Sequence, residues 1–328
     1  MKAIETKDLT KKFNGFMAVD HVNIGVEQGE VFGLLGPNGA GKSTIISMLC
    51  TILKPTSGTA LVNGYDIVRD PSHVRKSIGI VFQDPSVDDR LTGRENLEMH
   101  ADLYGVPENE MKSQIEKVLD LVELSDRSNE FVRNYSSGMR RRLEIARSLV
   151  HTPKILFLDE PTIGLDPQSR DHIWSYIRQL LKSEDLTIIL TTHYMEEADK
   201  LCNRVAIIDH GQIVALDAPG SLKEKLGGET ITVKTRNNPL FLKMIQQSGI
   251  ARSAVIAGSE VKMTVESAHT LLPQVMSIAA SNGIFIESIS LQEPQLDDVF
   301  LHYTGRALRE GGGKELSGLG AIMRRKIR

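Results

Sequence analysis

The sequence predicts an α/β protein: a parallel-sheet core of the phosphate-loop kind, with a helical insert, followed by a small α+β domain. Three observations predict it. An apolar strand, VFGLL, runs directly into a glycine-rich loop and then a helix pattern, IISMLCTIL. A second apolar strand, ILFLDE (Ile155 to Glu160), ends in two acids. After Leu226-Gly227-Gly228-Glu229, strand and helix patterns alternate in the order βαββαβ. At 328 residues the chain suits one large domain plus a smaller one.

Composition narrows the function classes. Apolar residues make up 41% and charged residues 25%, ordinary for a water-soluble globular protein. A net charge of −3 gives no global basic field, and no nucleic-acid partner is expected. Cys50 and Cys202 lie far apart without metal-ligand spacing, which fits a reducing cytosolic setting. The start, MKAIETKDLTKKF, carries no secretory pattern. No apolar run approaches the roughly 20 residues that span a bilayer, so work at a membrane would need another chain to cross it.

The loop GPNGAGKST, Gly36 to Thr44, fits GxxxxGK[ST] between a strand and a helix, the context that pattern requires. Gly39 and Gly41 let the backbone wrap closely around phosphate oxygens, since no Cβ intervenes. Successive N–H groups and the helix N-terminus then point at the anion. Lys42 reaches the outer phosphates, and the Ser43 hydroxyl is placed for Mg²⁺. Gly36, Asn38, Ala40 and Thr44 complete the candidate contact set for ATP. The bland alternative is a glycine turn that merely starts a helix. In ILFLDE, four apolar residues suit a strand buried on both faces. Asp159 can hold Mg²⁺ through water, and Glu160 can orient or deprotonate an attacking water. Alone, such a strand simply leaves the core; it gains meaning beside a phosphate loop.

With these residues the chain resembles the ATP-binding subunits of ABC transporters, over residues 1 to about 226. GPNGAGKST corresponds to their Walker A loop and ILFLDE to Walker B. VFQD places Gln83 as the Q-loop glutamine, a catalytic and Mg²⁺ contact. GLD (Gly164 to Asp166) corresponds to the D-loop, with Asp166 at the nucleotide. TTHYMEEAD places His193 as the switch histidine; a satisfied core histidine is the alternative, which its position after TIILTT disfavours. KKFNG places Phe13 to stack on adenine, with Phe16 as competitor. YSSGM, residues 135 to 139, stands where the family carries its LSGGQ signature. The resemblance implies a head-to-tail homodimer in which the signature of one subunit caps ATP on the Walker A loop of the other. Ser136, Ser137 and Gly138 are the candidate contacts, and a helix N-terminus suits a γ-phosphate. Arg140, Arg141 and Arg142 spread around the helix, and some are expected to be solvated.

Ser137 departs from the family, which has glycine there. If the position needs φ > 0 or close backbone approach, its Cβ costs roughly 1 kcal/mol or more. Tyr135 and Met139 match exporters of the daunorubicin-resistance type.

Residues from about 86 to 152 read as a helical subdomain. Thr92-Gly93-Arg94-Glu95 is a candidate capping box, and ENLEMHADLYGV and ENEMKSQIEKVLDLVEL are amphipathic. In the family this subdomain docks the coupling helices of a membrane subunit, with Gln83 as hinge. Most of its apolar residues are expected to be core, and surface positions near 84 to 105 are the docking candidates.

Residues 227–305 are expected to form a ferredoxin-like accessory domain, and 306–328 a flexible basic tail. EPQLDDVFLHYTGRA resembles the PxLDDVF element of drug-exporter subunits, with Leu296, Val299, Phe300 and Tyr303 on one helix face. Subunit contact, a packed cap helix and a small-molecule sensing role stay open for this region. The tail residues Arg324, Arg325, Lys326 and Arg328 either meet anionic lipid or are solvated.

The leading reading is the ATP-hydrolysing subunit of an ABC exporter, peripheral on the cytoplasmic face of the membrane. It would work with a separate transmembrane permease, which would choose the substrate. The alternatives are a soluble ABC ATPase remodelling nucleic acid or ribosomes, or a weakly active regulatory subunit. The first usually has two cassettes or a long coiled coil, whereas this chain has one phosphate loop and no sustained heptads. The second rests on Ser137 alone.

Overall fold

The computed structural model describes residues 2–304 apart from Pro85, Glu184, Asp185 and Glu293. Gly305 and the tail predicted at 306–328 lie outside the described residues. A six-stranded sheet carries the site, in the order Gln212–Asp217, Arg204–Asp209, Val31–Leu35, Thr187–Thr192, Ile155–Asp159, Ile78–Val81. Its pairings are parallel except at the Gln212–Asp217 edge. Every residue of Val31–Leu35, Ile155–Asp159 and Thr187–Thr192 is buried, as expected for strands covered on both faces. Alternate side chains serve opposite cores. Phe32, Leu34 and Phe157 pack with the helix Lys42–Leu49, while Val31, Leu35, Leu156 and Leu158 pack with the helical segment.

Registers are level across the centre: Leu35 pairs Thr192, and Asp159 pairs Thr191. The phosphate loop, the two acids and His193 therefore leave the sheet in one layer, at the carboxyl ends of parallel strands. The helix after the loop is shorter than the sequence pattern predicts. It ends at Leu49, because Thr51 turns into the left-handed region with φ 62° and the amides of Ile52 and Leu53 both fold back to the Ser47 carbonyl.

An antiparallel sheet flanks the core. Its long strand Lys2–Phe13 pairs with Phe16–Val22, Gly25–Glu27 and Ser57–Val62. Asn14 and Gly15, at φ 42° and 90°, make the two-residue hairpin loop that sets Phe13 opposite Phe16.

The insert holds helices Gly93–Tyr104, Glu108–Leu121 and Ser137–Leu149. The first has the predicted capping box: the Glu95 amide donates to Thr92 Oγ1 at 3.2 Å, and the Thr92 amide donates to Glu95 Oε2 at 2.7 Å. Leu97, Ala101, Ile115, Val118, Leu119, Leu143 and Ala146 are core, while Met99 and Leu103 face outward. Tyr104 stacks on His151 at 3.9 Å, with His100 beside both rings.

The C-terminal sheet runs Ser253–Ala257, Glu260–Val265, Glu229–Thr235, Ile286–Gln292, all antiparallel, with helices Asn238–Ser248 and Ala268–Ser281. This is the predicted βαββαβ order, around a core that includes Ile231, Val233, Phe241, Val261 and Met263. The last helix, Leu296–Thr304, leaves that core. Leu296, Val299 and Phe300 are buried in the core that Val31, Leu35, Leu156 and Leu158 share with the helical segment, against helices Met195–Leu201 and Pro219–Lys225. Tyr303, predicted on the same face, is 39% exposed. Among the described residues no helix is long and apolar enough to cross a membrane.

Two measurements test this packing. Phe300→Ala should cost about 3–5 kcal/mol, read from the chemical-denaturation midpoint, whereas Tyr303→Ala should stay within about 1 kcal/mol. Burial, helped by Arg147 and His151, holds His100 down to about 4 from 6.5. The unfolded chain thus binds the extra proton between those values, and stability falls as pH drops from 6.5 to about 4. His100→Gln should flatten the slope of stability against pH in that window.

Candidate functional site

The phosphate loop is built where only glycine fits. A Cβ on Gly41, at φ 109°, would stand 2.5 Å from the Ala18 carbonyl oxygen. Gly41 also caps the helix Lys42–Leu49 without any side-chain hydrogen bond, so the first-turn amides keep their donors for a ligand. Asn38 and Gly39 are exposed at the loop crest, with Ala40 buried beneath and Thr44 half-buried on the helix. Lys42 is only 4% exposed, and its ammonium donates to the carbonyls of Gly36 at 2.7 Å and Pro37 at 3.1 Å.

The acids converge on this lysine. Lys42 Nζ lies 3.4 Å from Glu160 Oε1, and His193 Nδ1 lies 3.3 Å from Glu160 Oε2. The latter pair is close without hydrogen-bond alignment, and both atoms are buried without another partner. Burial pushes the Glu160 carboxyl up, but His193 and Lys42 together outweigh it and leave the group below its usual range. Burial likewise lowers Lys42, against the pull of Glu160 and Asp159. Glu160 itself stands in the left-handed region, φ 48°, with its amide donating to Thr191 Oγ1 at 3.0 Å. The Ser43 hydroxyl donates to Asp159 Oδ1 at 3.2 Å, and Thr191 donates to the same oxygen at 2.5 Å.

The other predicted residues stand apart from that group. Gln83 is exposed, two residues beyond the strand Ile78–Val81. Ser136 is the N-cap of the helix Ser137–Leu149, accepting the Met139 amide at 3.2 Å. A cavity of about 200 Å³ borders Ser136 and Gly138, lined also by Arg142, Ser169 and His172 but by no phosphate-loop residue. Asp166 accepts the Ser169 amide at 3.0 Å and hydroxyl at 2.6 Å, bonds that hold its carboxyl below the ordinary value. Phe13 is half-buried with the Lys11 ammonium 5.1 Å from its ring, while Phe16 is 64% exposed.

One expectation is corrected, and the positive-φ condition raised for Ser137 is not met. Ser137 is the first residue of a right-handed helix and does not have positive φ, so its Cβ carries no left-handed strain. The tight approach falls one residue later, at Gly138, where a Cβ would stand 3.0 Å from Ser169 Oγ. Nor is any of the three arginines simply solvated. Arg140 pairs with Asp89 at 2.6 Å, Arg142 donates to the Val122 carbonyl at 3.0 Å, and Arg141 is buried among backbone carbonyls. Sequence reasoning missed Thr191, and also Glu197, which accepts from Thr162 and the Trp174 indole. A threonine at the end of the apolar run TIIL was the available signal for Thr191; nothing in MEEAD sets Glu197 apart from Glu196.

These groups fit a triphosphate and a hard cation. Lys42 and the loop amides suit phosphate oxygens, and the Ser43 hydroxyl beside the Asp159 carboxylate is the oxygen donor set that Mg²⁺ prefers.

Comparison with known proteins agrees. Residues 19–163 match the ABC transporter family model, and residues 218–304 match the model of the C-terminal domain of DrrA1-3-like ATP-binding proteins. The chain is 40% identical to the daunorubicin/doxorubicin resistance ATP-binding protein DrrA of Streptomyces peucetius, covering 93% of each chain. It is 37% identical to the linearmycin resistance ATP-binding protein LnrL of Bacillus subtilis, over 94% of this chain and 100% of the relative. It is 35% identical to a Nod factor export ATP-binding protein I from a Rhizobium species, over 94% and 99%. Among solved structures, cbiO1 of Clostridium perfringens, part of an ABC transporter complex, superposes with TM-score 0.63 at 30% identity, covering 67% of this chain and 90% of that one. A dimeric ATP-binding cassette bound to ADP and Pi superposes with TM-score 0.60 at 25% identity, over 66% and 98%.

Because Ser137 is already helical, Ser137→Gly should leave ATPase activity within about twofold and lower stability by about 0.5–1 kcal/mol. Steady-state turnover and a thermal melt would check both; a large gain in turnover would restore the strain argument.

Proposed function

The chain belongs to the ABC transporter ATP-binding family, and from that premise we propose that it binds two Mg-ATP as a head-to-tail dimer and drives export through a separate membrane permease. Binding and hydrolysis of ATP come with the family. The relatives' names speak of drug resistance and Nod factor export, which supports an exporter at the cytoplasmic membrane face.

The observation that carries the reading is the Glu160 carboxyl, 6% exposed, held between Lys42 and His193 at the phosphate loop. Phosphoryl transfer to water needs charge neutralisation on the leaving and transferring oxygens and a positioned nucleophile. Lys42 and the loop amides supply the first. Glu160, kept ionised by its two neighbours, accepts a proton from the attacking water and orients it. His193, on the outer side of Glu160, fixes that carboxyl and is the group available to the γ-phosphate. Bound Mg²⁺ would add electrostatic stabilisation of the phosphates, with Ser43, Gln83 and Asp159 as the residues to hold it. Phe13 is the proposed adenine platform, and Ser136, Ser137, Gly138 and Asp166 the contacts to the partner's nucleotide. The separation of the signature cavity from the phosphate loop within one chain supports that trans arrangement.

The segment after Gln83 is tied to the first and third helices of the insert. Asn96 accepts the Asp88 amide at 2.8 Å, and Glu144 accepts the Ser86 amide at 2.7 Å. Met99 and Leu103, exposed on the helix that holds Asn96, are the proposed seat for the permease's coupling helix.

Glu160→Gln should lower hydrolysis by about 10²–10⁴-fold while keeping Mg-ATP binding, and should sediment as a dimer in saturating Mg-ATP. Lys42→Ala should lose ATP binding itself. Purification of the Glu160→Gln protein from detergent-solubilised cells should retain a polytopic membrane protein in near-equal amount. A strictly monomeric Glu160→Gln protein would remove the trans site, and ribosomal or DNA-bound partners alone would remove the exporter.

A further inference from the structure

One buried side chain outside the motifs joins the turn at Glu160, the signature helix and the segment before Gln83. Arg141, on the signature helix, is only 7% exposed. Its Nε donates to the Pro161 carbonyl at 2.8 Å, and Nη2 donates to the carbonyls of Asp159 and Glu160, each at 3.1 Å. Nη1 donates to the Phe82 carbonyl and to Glu144 Oε2 at 2.9 Å. Those five bonds use all five donors of a guanidinium, so the group is fully satisfied and can adopt no second partner set without breaking some of them. Glu144 supplies the counter-charge, and its other oxygen accepts the Ser86 amide at 2.7 Å.

The geometry explains how Glu160 keeps an unusual backbone. A non-glycine residue in the left-handed region is strained, so surrounding structure must hold it there. Three successive carbonyls, of Asp159, Glu160 and Pro161, converge on one side of this turn. Such oxygens repel one another unless a cation with several directed N–H groups lies between them. The planar fork of arginine does this; the ammonium of lysine, a point charge with three donors, cannot reproduce it.

We propose that Arg141 is a positioning residue for Glu160, locking the catalytic turn to the signature helix and to the segment around Gln83. The inference rests on the reading of Glu160 as the residue that orients water. It has a mechanical consequence. In the head-to-tail dimer the signature helix meets the partner's nucleotide, while the turn it grips serves the chain's own nucleotide. Arg141 thus connects the two composite sites through one rigid contact.

The test compares full-length wild type with Arg141→Lys, Glu144→Gln and Glu160→Gln. Steady-state ATPase kinetics, Mg-ATP affinity by calorimetry and a thermal melt would be measured for each. Arg141→Lys should lower kcat by about 10–100-fold, the scale expected when a reacting group is displaced by about 1 Å, with Kd and KM within about threefold. Glu144→Gln should lower kcat by a smaller factor with Kd unchanged; it keeps the proposal testable if Arg141→Lys does not fold. In the Glu160→Gln background, Arg141→Lys should reduce the residual single-turnover rate by less than about twofold, because both act through the same carboxyl. Near-normal kcat in Arg141→Lys beside an inactive Glu160→Gln would overturn the proposal and leave Glu160 in place. A parallel fall of kcat, Kd and melting temperature would also overturn it, as a merely structural arginine. A fully active Glu160→Gln would instead overturn the reading on which the proposal stands.

Discussion

The Glu160 carboxyl stands 3.4 Å from Lys42 and 3.3 Å from His193 because three parallel strands end at the same level. Each of the three groups leaves a different strand: Lys42 after Val31–Leu35, Glu160 after Ile155–Asp159, His193 after Thr187–Thr192. The side-chain period of a strand is two, so a slip of one residue in any pairing would turn that group to the other face. What forbids the slip is two-sided burial. Phe32, Leu34 and Phe157 fill one core while Val31, Leu35, Leu156 and Leu158 fill the other, and a shifted register would exchange large and small volumes on both. The placement of charge is thus enforced by packing that contains no charge.

That division matters because the charged groups are poor stabilisers. Burying an ammonium and a carboxylate costs several kcal/mol each, and their attraction does not reliably exceed it. The site limits the cost by supplying partners. Lys42 has two loop carbonyls besides Glu160, and Asp159 has the hydroxyls of Ser43 and Thr191. Two atoms are left over, Glu160 Oε2 and His193 Nδ1. A pair of buried polar atoms without aligned partners is where a reacting water and phosphate oxygens have most to gain.

What was legible in the sequence follows from distance along the chain. The phosphate loop, the Thr92 capping box and the acids at the end of ILFLDE are local patterns, and each appears as read. The βαββαβ order was legible for the same reason: each element carries its own periodicity. The failures are contacts between segments far apart. Nothing in YSSGMRRRL marks Arg141 as buried, since its partners are Phe82 and residues 159–161. The available signal was Glu144, flanked in sequence by Leu143 and Ile145 and three residues from Arg141, the spacing at which helical side chains meet. Whether Ser137 needed φ > 0 could not be read from the sequence; it is helical, and the close approach belongs to Gly138, across from Ser169.

The last helix bears on how the accessory sheet relates to the chemistry. Leu296–Thr304 follows the C-terminal sheet in sequence but packs in the core shared by the central sheet and the helical insert, against the helix Met195–Leu201. That helix begins two residues after His193 and carries Glu197, whose carboxylate is bonded to Thr162, two residues past Glu160. The C-terminal helix, the helix after His193 and the turn after Glu160 are therefore joined by buried contacts. Arg141 holds the same turn through the helix Ser137–Leu149. Glu160 thus sits between two anchored frames. Its strained backbone is held by the Arg141 guanidinium and the Thr191 hydroxyl, while Lys42 and His193 flank its carboxyl.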